Sequence, residues 1–273
     1  MKTISKEKQK EILVQMLMYI DKICRDNKIK YSVIGGSLIG AVRHKGFIPW
    51  DDDIDIILDN DNYTKLINTL KKENRNEYLL LIPGETESYP LQFTKLINTN
   101  THLIEETMID KIEQYGLFID IFTYNYMPSD EKERQKYFNR CQFYQKCLVR
   151  MKIQKDMTLR KKIMRFLKNI YITVFGYKRA LKKLLNLYSL YSDVGGEYVM
   201  SNNPVYGYNK EIQKAKDIKE YIDLDFEGHK IMAFKNYDTI LRTSFGDYMV
   251  LPPEDKRRTH NLKVYWKDDE KKK

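Results

Sequence analysis

The amino-acid sequence predicts an α+β protein. A mixed β-sheet with flanking helices occupies residues 1–125, a helical region 126–195, and a short αβ segment 196–273 that folds back on the first part. Three observations carry this. Ile12, Met16, Tyr19, Ile20 and Ile23 recur at helical spacing. Asp and Ile alternate from Asp53 toward Leu58, the period of a half-buried strand. Leu117–Phe122, LFIDIF, is apolar on both parities, as in a strand covered on both faces. With 273 residues and 42% hydrophobic side chains, the chain can bury a substantial core.

The elements follow in order. Ser5 to Asn27 reads as a helix on the spacing just given. Tyr31–Ile34 is a short buried strand, and Gly35-Gly36-Ser37 breaks it, with Ser37 placed as the N-cap of a helix through Arg43. His44 to Trp50, with Gly46 and Pro49, is a loop. Asp53–Leu58 is a strand, and Asp59–Asn62 caps a helix running to about Lys72. Tyr78–Ile82 and Leu91–Ile97 read as strands. Helical patterning opens at Ser129 and continues with interruptions to about Tyr191, before Gly195-Gly196. Ile222–Phe226 and Lys230–Ala233 flank Glu227-Gly228, a hairpin signal. A last helix from Asn236 to Phe245 leads to Pro252-Pro253, and the final DDEKKK is a solvated tail. No internal repeat is present.

Charge narrows the partners. The chain carries 48 Lys+Arg against 38 Asp+Glu, a formal net charge of +10. Such a balance favours anionic partners (nucleotides, anionic polymers, acidic lipid surfaces or nucleic acid) and does not choose among them. Cys24, Cys141 and Cys147 form no CxxC pair, and an odd count gives no disulfide framework, which points to a reducing, cytoplasmic setting. The N-terminus, MKTISKEKQKEILVQ, alternates charged and apolar residues and is not a signal peptide. The most apolar later stretch, Ile163 to Tyr177, contains Arg165 and Lys168 and is too short to span a bilayer.

The strongest chemical signal is Trp50-Asp51-Asp52-Asp53-Ile54-Asp55-Ile56. On a strand, Asp51, Asp53 and Asp55 share one face, and Ile54 and Ile56 anchor the other. Aligned carboxylates repel, and a cation between them removes the repulsion. Mg2+ (or Mn2+) suits hard oxygen ligands of this kind. The competing reading, an acidic loop in water, is weakened by the alternation with isoleucine. Asp120, inside its apolar run, needs a cation, a hydrogen-bond network or a proton. If its strand lies beside Asp53–Leu58, it completes a three-carboxylate site; otherwise it is a structural Asp bonded to backbone amides. Gly35-Gly36-Ser37 lies between a strand and a helix, where backbone amides can meet a phosphate. Arg43, His44 and Lys45 add a basic corner, though His44 alone also reads as a surface histidine.

Taken together, GGSLIGAVRHKGFIPWDDDIDI, Gly35 to Ile56, resembles the LicD family, related to the fukutin-type transferases. The resemblance implies a nucleotidyltransferase-like fold whose hallmarks match Gly36-Ser37, Asp53-Ile54-Asp55 and Asp120. Lys95 in FTKLINTNT, and Arg257 and His260 in SFGDYMVLPPEDKRRTH, match basic positions of the family. It implies transfer of a phosphoryl-linked group, typically phosphocholine from CDP-choline, onto a sugar hydroxyl of a cell-surface glycan or teichoic-acid precursor, with release of CMP. The implied roles are metal at Asp53 and Asp55, and base or further metal ligand at Asp120. Asp51 would ligate metal or orient the acceptor. Gly36, Ser37, Arg43, His44, Lys45, Lys95, Arg257 and His260 would hold substrate. Two alternatives remain at this point: a nucleotidyltransferase adding NMP from NTP to a small acceptor, and a basic membrane- or RNA-binding scaffold without catalysis. Intact acids and the lack of an aromatic RNA-binding motif count against the scaffold.

The middle of the chain is basic. Arg150 to Lys183 carries eleven further Lys and Arg positions interleaved with Leu159, Ile163, Phe166, Leu167 and Ile170 at roughly helical spacing. Two readings fit: a helix on an anionic membrane surface, on the inner face of the membrane, and a packed helix pair with a solvated Lys face.

Overall fold

The structure, a computed structural model, describes residues 2–104, 112, 115–153, 157–192, 195–257 and 262–267. Its helices are α1 (Lys6–Asp26), α2 (Gly35–His44), α3 (Asn60–Glu73), α4 (Glu131–Gln145), α5 (Leu159–Phe175), α6 (Tyr177–Ser189), α7 (Tyr208–Glu211) and α8 (Tyr237–Phe245). Its strands are β1 (Ser32–Val33), β2 (Asp55–Leu58), β3 (Tyr78–Leu81), β4 (Thr94–Asn98), β5 (Thr101–Ile104), β6 (Phe118–Tyr126), β7 (Tyr198–Ser201), β8 (Gln213–Lys214), β9 (Tyr221–Phe226), β10 (His229–Phe234) and β11 (Lys263–Trp266). The fold class is α+β.

α1 forms where the apolar spacing places it. Ser5 Oγ accepts from the Lys8 amide at 3.3 Å, satisfying one of the first-turn donors. Its inward stripe, Ile12, Leu13, Met16, Leu17, Ile20 and Cys24, is buried against the sheet. Each such Leu or Ile stabilises the fold by about 1.5–3 kcal/mol. α3 starts on Asp59, whose side chain accepts from the Asn62 amide at 2.8 Å.

The main sheet runs β1-β2-β6-β4-β3, with β7 on β6 and β8 on β7. β2 and β6 are parallel; the other pairs are antiparallel. β6 is therefore central, and eight of its nine residues are buried, as the two-parity apolar pattern requires. One face carries Ile56, Leu58, Ile119 and Ile121 into the core shared with α1. The other carries Ile57, Phe93, Phe122 and Tyr124 against Phe234 and Ile240 of β10 and α8. α4 and α6 pack around Tyr137, Phe138, Cys141, Leu184 and Tyr188. The three cysteines are buried thiols without a disulfide.

Two local expectations change. Ser37 is not an N-cap: α2 begins at Gly35 with Ile34 extended before it, and Ser37 lies within the first turn. β2 begins at Asp55 rather than Asp53. The reason is that β1 leaves the sheet at α2, so residues upstream of Asp55 lose the strand beside them. Their alternation survives in part. Ile54 is fully buried, but Asp52 is also buried, and its Oδ2 accepts from Lys6 Nζ at 2.8 Å.

The Glu227-Gly228 turn joins β9 and β10 with both residues at positive φ, 49° and 80°. This pair of angles is what a two-residue hairpin twist demands. Glu227 also plugs the loop after α2: its Oε1 accepts from the Phe47 amide at 2.9 Å, and its own amide donates to the Lys45 carbonyl. β11 pairs antiparallel with β5, and Thr3 bridges Tyr265. Among the described residues, no helix is long and apolar enough to cross a membrane.

Candidate active site

Asp55 heads β2, and the sheet register places it directly opposite Asp120 on β6, which in turn lies opposite Lys95 on β4. Residues on one rung project from the same face. Asp55, 65 residues before Asp120 in the chain, and Lys95, 25 residues before it, thus meet it side by side. Lys95 Nζ donates to Asp120 Oδ1 at 2.5 Å. Lys95 is 3% exposed and Asp120 8%. The ammonium also lies 3.3 Å from the centroid of the Phe118 ring, whose π face attracts it.

The glycine turn closes the other side. Gly35 sits at φ +61°, a region that penalises side chains, and a Cβ there would lie 3.6 Å from Asp55 Oδ2. At Gly36 the approach is closer: a Cβ would lie 2.3 Å from Asp51 Oδ2. Ser37 Oγ accepts from the Asp55 amide at 3.0 Å and ties α2 to the start of β2. Two carboxylates thus reach the N-terminus of α2, where the helix dipole favours negative charge.

The acids press on one another. Burial, then Asp53, then Asp120, raises the Asp55 pKa well above the usual carboxylate range; Lys95 opposes this and Asp51 adds to it. Four carboxylates therefore interact around one lysine. Hard oxygen donors carrying this much negative charge fit a divalent cation of the Mg2+ or Mn2+ kind at Asp53 and Asp55. Among the described residues, no three His, Cys, Asp or Glu side chains are drawn together closely enough to hold an ion as they stand. Asp120 has the Lys95 ammonium on Oδ1.

Comparison with known proteins now bears on this geometry. Residues 28–159 match the family described as LicD/FKTN/FKRP, nucleotidyltransferase domain, a span that contains the glycine turn and the whole rung. The lipopolysaccharide cholinephosphotransferase LicD of Haemophilus influenzae is 28% identical over 268 residues, 96% of this chain and 98% of that protein. An uncharacterized Rickettsia typhi protein is 46% identical over 50 residues, 18% of this chain and 16% of its own length. By the family match and the near full-length relative together, the chain is similar to the LicD family. It is an enzyme of the transferase class.

The remaining sequence-predicted residues divide into two groups. Arg257 reaches the acid loop: its guanidinium lies 4.9 Å from the Trp50 ring centroid, next to Asp51, and its Nε donates to the Pro252 carbonyl. Arg43, His44 and Lys45 instead join the end of α2 to later segments. Arg43 Nη1 donates to the carbonyls of Tyr248 and Val250, and its Nε donates to His44 Nε2. Burial, with Arg43 alongside, lowers the His44 pKa. Lys45 takes the left-handed conformation that ends α2, at φ 59°. His260 lies outside the described residues.

Sequence reasoning missed Tyr206. It is 44% exposed, packs edge-on against Phe245 at 5.3 Å, and has Asp55, Asp51 and Asp53 close enough to raise its pKa after burial and Glu211. Nothing local marks it; only the pairing of β7 with β6 brings its loop near the acids. Two surface clefts lie elsewhere and are not lined by the acids: one of about 330 Å³ at Tyr19, Arg75 and Tyr78, and one of about 420 Å³ between residues 84–89 and α6.

The close approach at Gly36 gives a direct test. In Gly36→Ala the new methyl must displace the Asp51 carboxylate, a movable side chain, so the fold should hold to within about 1 kcal/mol. Turnover should fall about a hundredfold, the usual effect of shifting a site group by about 1 Å. Paired turnover and melting measurements on Gly36→Ala check this; unchanged turnover removes Asp51 from the site.

Proposed function

We propose that this chain is a cholinephosphotransferase that moves choline phosphate from CDP-choline to a hydroxyl of a cell-surface glycan or teichoic-acid precursor, releasing CMP. The observation that carries the reading is the Asp55–Asp120–Lys95 rung, set beside Asp53 and against the glycine turn. The transferred group is supported by the name of the Haemophilus influenzae relative, which spans nearly the whole chain.

In this reading the acceptor oxygen forms a bond to the choline-bearing phosphorus, and the bond from that phosphorus to the bridging oxygen breaks. CMP leaves with the bridging oxygen. The hydroxyl proton passes to Asp120, which Lys95 holds in place through Oδ1. Mg2+ or Mn2+ held by Asp53 and Asp55 would supply charge neutralisation at the diphosphate; the alternative role for Asp120, in place of the base, is ligand to a second metal ion. The amides at Gly36 and Ser37 face the donor phosphates, Arg257 beside Trp50 reaches them from the C-terminal segment, and His260 is assigned to the same phosphates on the family resemblance alone. Asp51 orients the acceptor or adds to the metal ligands. The reaction takes place in the cytoplasm, at the inner face of the membrane.

The test is incubation with CDP-choline and Mg2+, with and without membrane or glycan precursors, scored for CMP. Metal-dependent CMP release that disappears in Asp53→Asn is the expected result. Release of pyrophosphate from an NTP, with no CMP from CDP-choline, replaces the reading with NMP transfer. CMP release from another CDP-linked alcohol alone keeps the site and changes the donor.

A further inference from the structure

α5 is 17 residues long, about 25 Å at helical rise, yet Ile172 is its one buried residue. Leu159, Ile163, Phe166, Leu167, Ile170 and Val174 are 43–74% exposed. At 100° per residue these six fall on an arc of about 100°, so they form one continuous apolar stripe. The helix is tethered on its other side by polar bonds. The Asn169 side chain donates to the Met151 carbonyl and accepts from the Met151 amide, and Arg165 donates to the Lys152 carbonyl. An apolar stripe of this extent, facing water while the helix is held from behind, marks a surface that meets a partner.

Charge identifies the partner. Arg160 and Lys162 border the stripe. α6 follows after Gly176 alone and presents Lys178, Arg179, Lys182 and Lys183 on its exposed side. Neither helix contains an Asp or Glu. A second copy of this chain would set these bases against themselves, so like-charge repulsion works against self-association. An anionic lipid surface satisfies both features, since an in-plane helix buries its apolar face among acyl chains and keeps its bases among headgroup phosphates.

We propose that α5 is a lipid-docking helix whose Leu159–Val174 stripe lies in the surface of an anionic bilayer. The proposal stands independently of the donor and acceptor chemistry, so vesicle binding and CMP release are read separately.

The experiment is co-sedimentation of the full chain with phosphatidylglycerol vesicles and with phosphatidylcholine vesicles, at low and high salt. Binding to phosphatidylglycerol should exceed binding to phosphatidylcholine by roughly tenfold or more and weaken with salt. The double variant Ile163→Asp/Phe166→Asp alters exposed positions only, so its circular dichroism and melting should match the wild type while vesicle binding falls at least roughly tenfold. Three results overturn the proposal: no sedimentation with phosphatidylglycerol, equal binding by the folded double variant, or a concentration-dependent dimer that the double variant abolishes.

Discussion

Asp55→Asn is expected to reduce turnover by about a thousandfold or more while leaving the protein at least as stable as the wild type at neutral pH. The two halves of this expectation have one cause. Asp55 stands on the rung between the glycine turn and Asp120, and burial together with Asp53 and Asp120 disfavours its ionised form. Its folded-state pKa is raised, so its contribution to stability is greatest at low pH. That contribution is lost as pH rises from the ordinary carboxylate range through the raised value. An asparagine keeps the shape, including the Ser37 Oγ contact to the backbone amide, and removes the charge. The melting temperature of Asp55→Asn should therefore decline less between acid and neutral pH than that of the wild type. A carboxyl whose titration is pushed this far by burial and by neighbouring acids is what an active site assembles, and a scaffold gains nothing from it. Asp53→Asn should lose turnover to a similar extent. Full activity in both variants would remove the carboxylate cluster from the mechanism, and a large stability loss in Asp55→Asn would make that residue structural.

Much of this arrangement is legible in the sequence where the signal is local. The 3.6-residue spacing from Ile12 to Ile23 gives α1, the doubly apolar LFIDIF gives the central β6, and Glu227-Gly228 gives the β9–β10 turn. The acids announce themselves through alternation with isoleucine. What is not local is lost. Lys95 and Asp120 meet because β4 and β6 share a register that no residue in FTKLINTNT encodes by itself. β5 and β11 are four residues each and come from distant parts of the chain, so neither carries a period long enough to notice. Tyr206 reaches the acids through the β6–β7 pairing. The basic triplet Arg43, His44 and Lys45 shows the converse problem. Its composition suits a phosphate, but it stands at the end of a helix, where unpaired carbonyls and a chain reversal make their own demands. There Lys45 takes the left-handed turn and Arg43 holds the Tyr248 carbonyl.

Lys95→Met is expected to destabilise the fold by about 3–5 kcal/mol, the range found when one partner of a buried ion pair is removed. For a chain of this size that lowers the melting temperature by about 10 °C. The ammonium group sits among the rings of Phe118, Phe93 and Tyr115, at 3.3, 5.2 and 5.7 Å, and water has little access to it. Methionine fills the same space but leaves the Asp120 carboxylate facing Asp55 across the rung with no cation between the strands. Asp120→Asn alone leaves the converse fault, a buried ammonium that has lost its charged partner. The double variant Lys95→Met/Asp120→Asn removes both charges, so it should melt closer to the wild type than Lys95→Met does while remaining without turnover. That pattern separates the two roles of the pair. Stability depends on the charges being matched, whereas catalysis depends on their being present, and a double-mutant cycle measures the first while CMP release measures the second. If Lys95→Met melts like the wild type and still turns over, the lysine is a bystander to the rung. If it melts like the wild type but is inactive, its task is confined to orienting Asp120 or binding substrate.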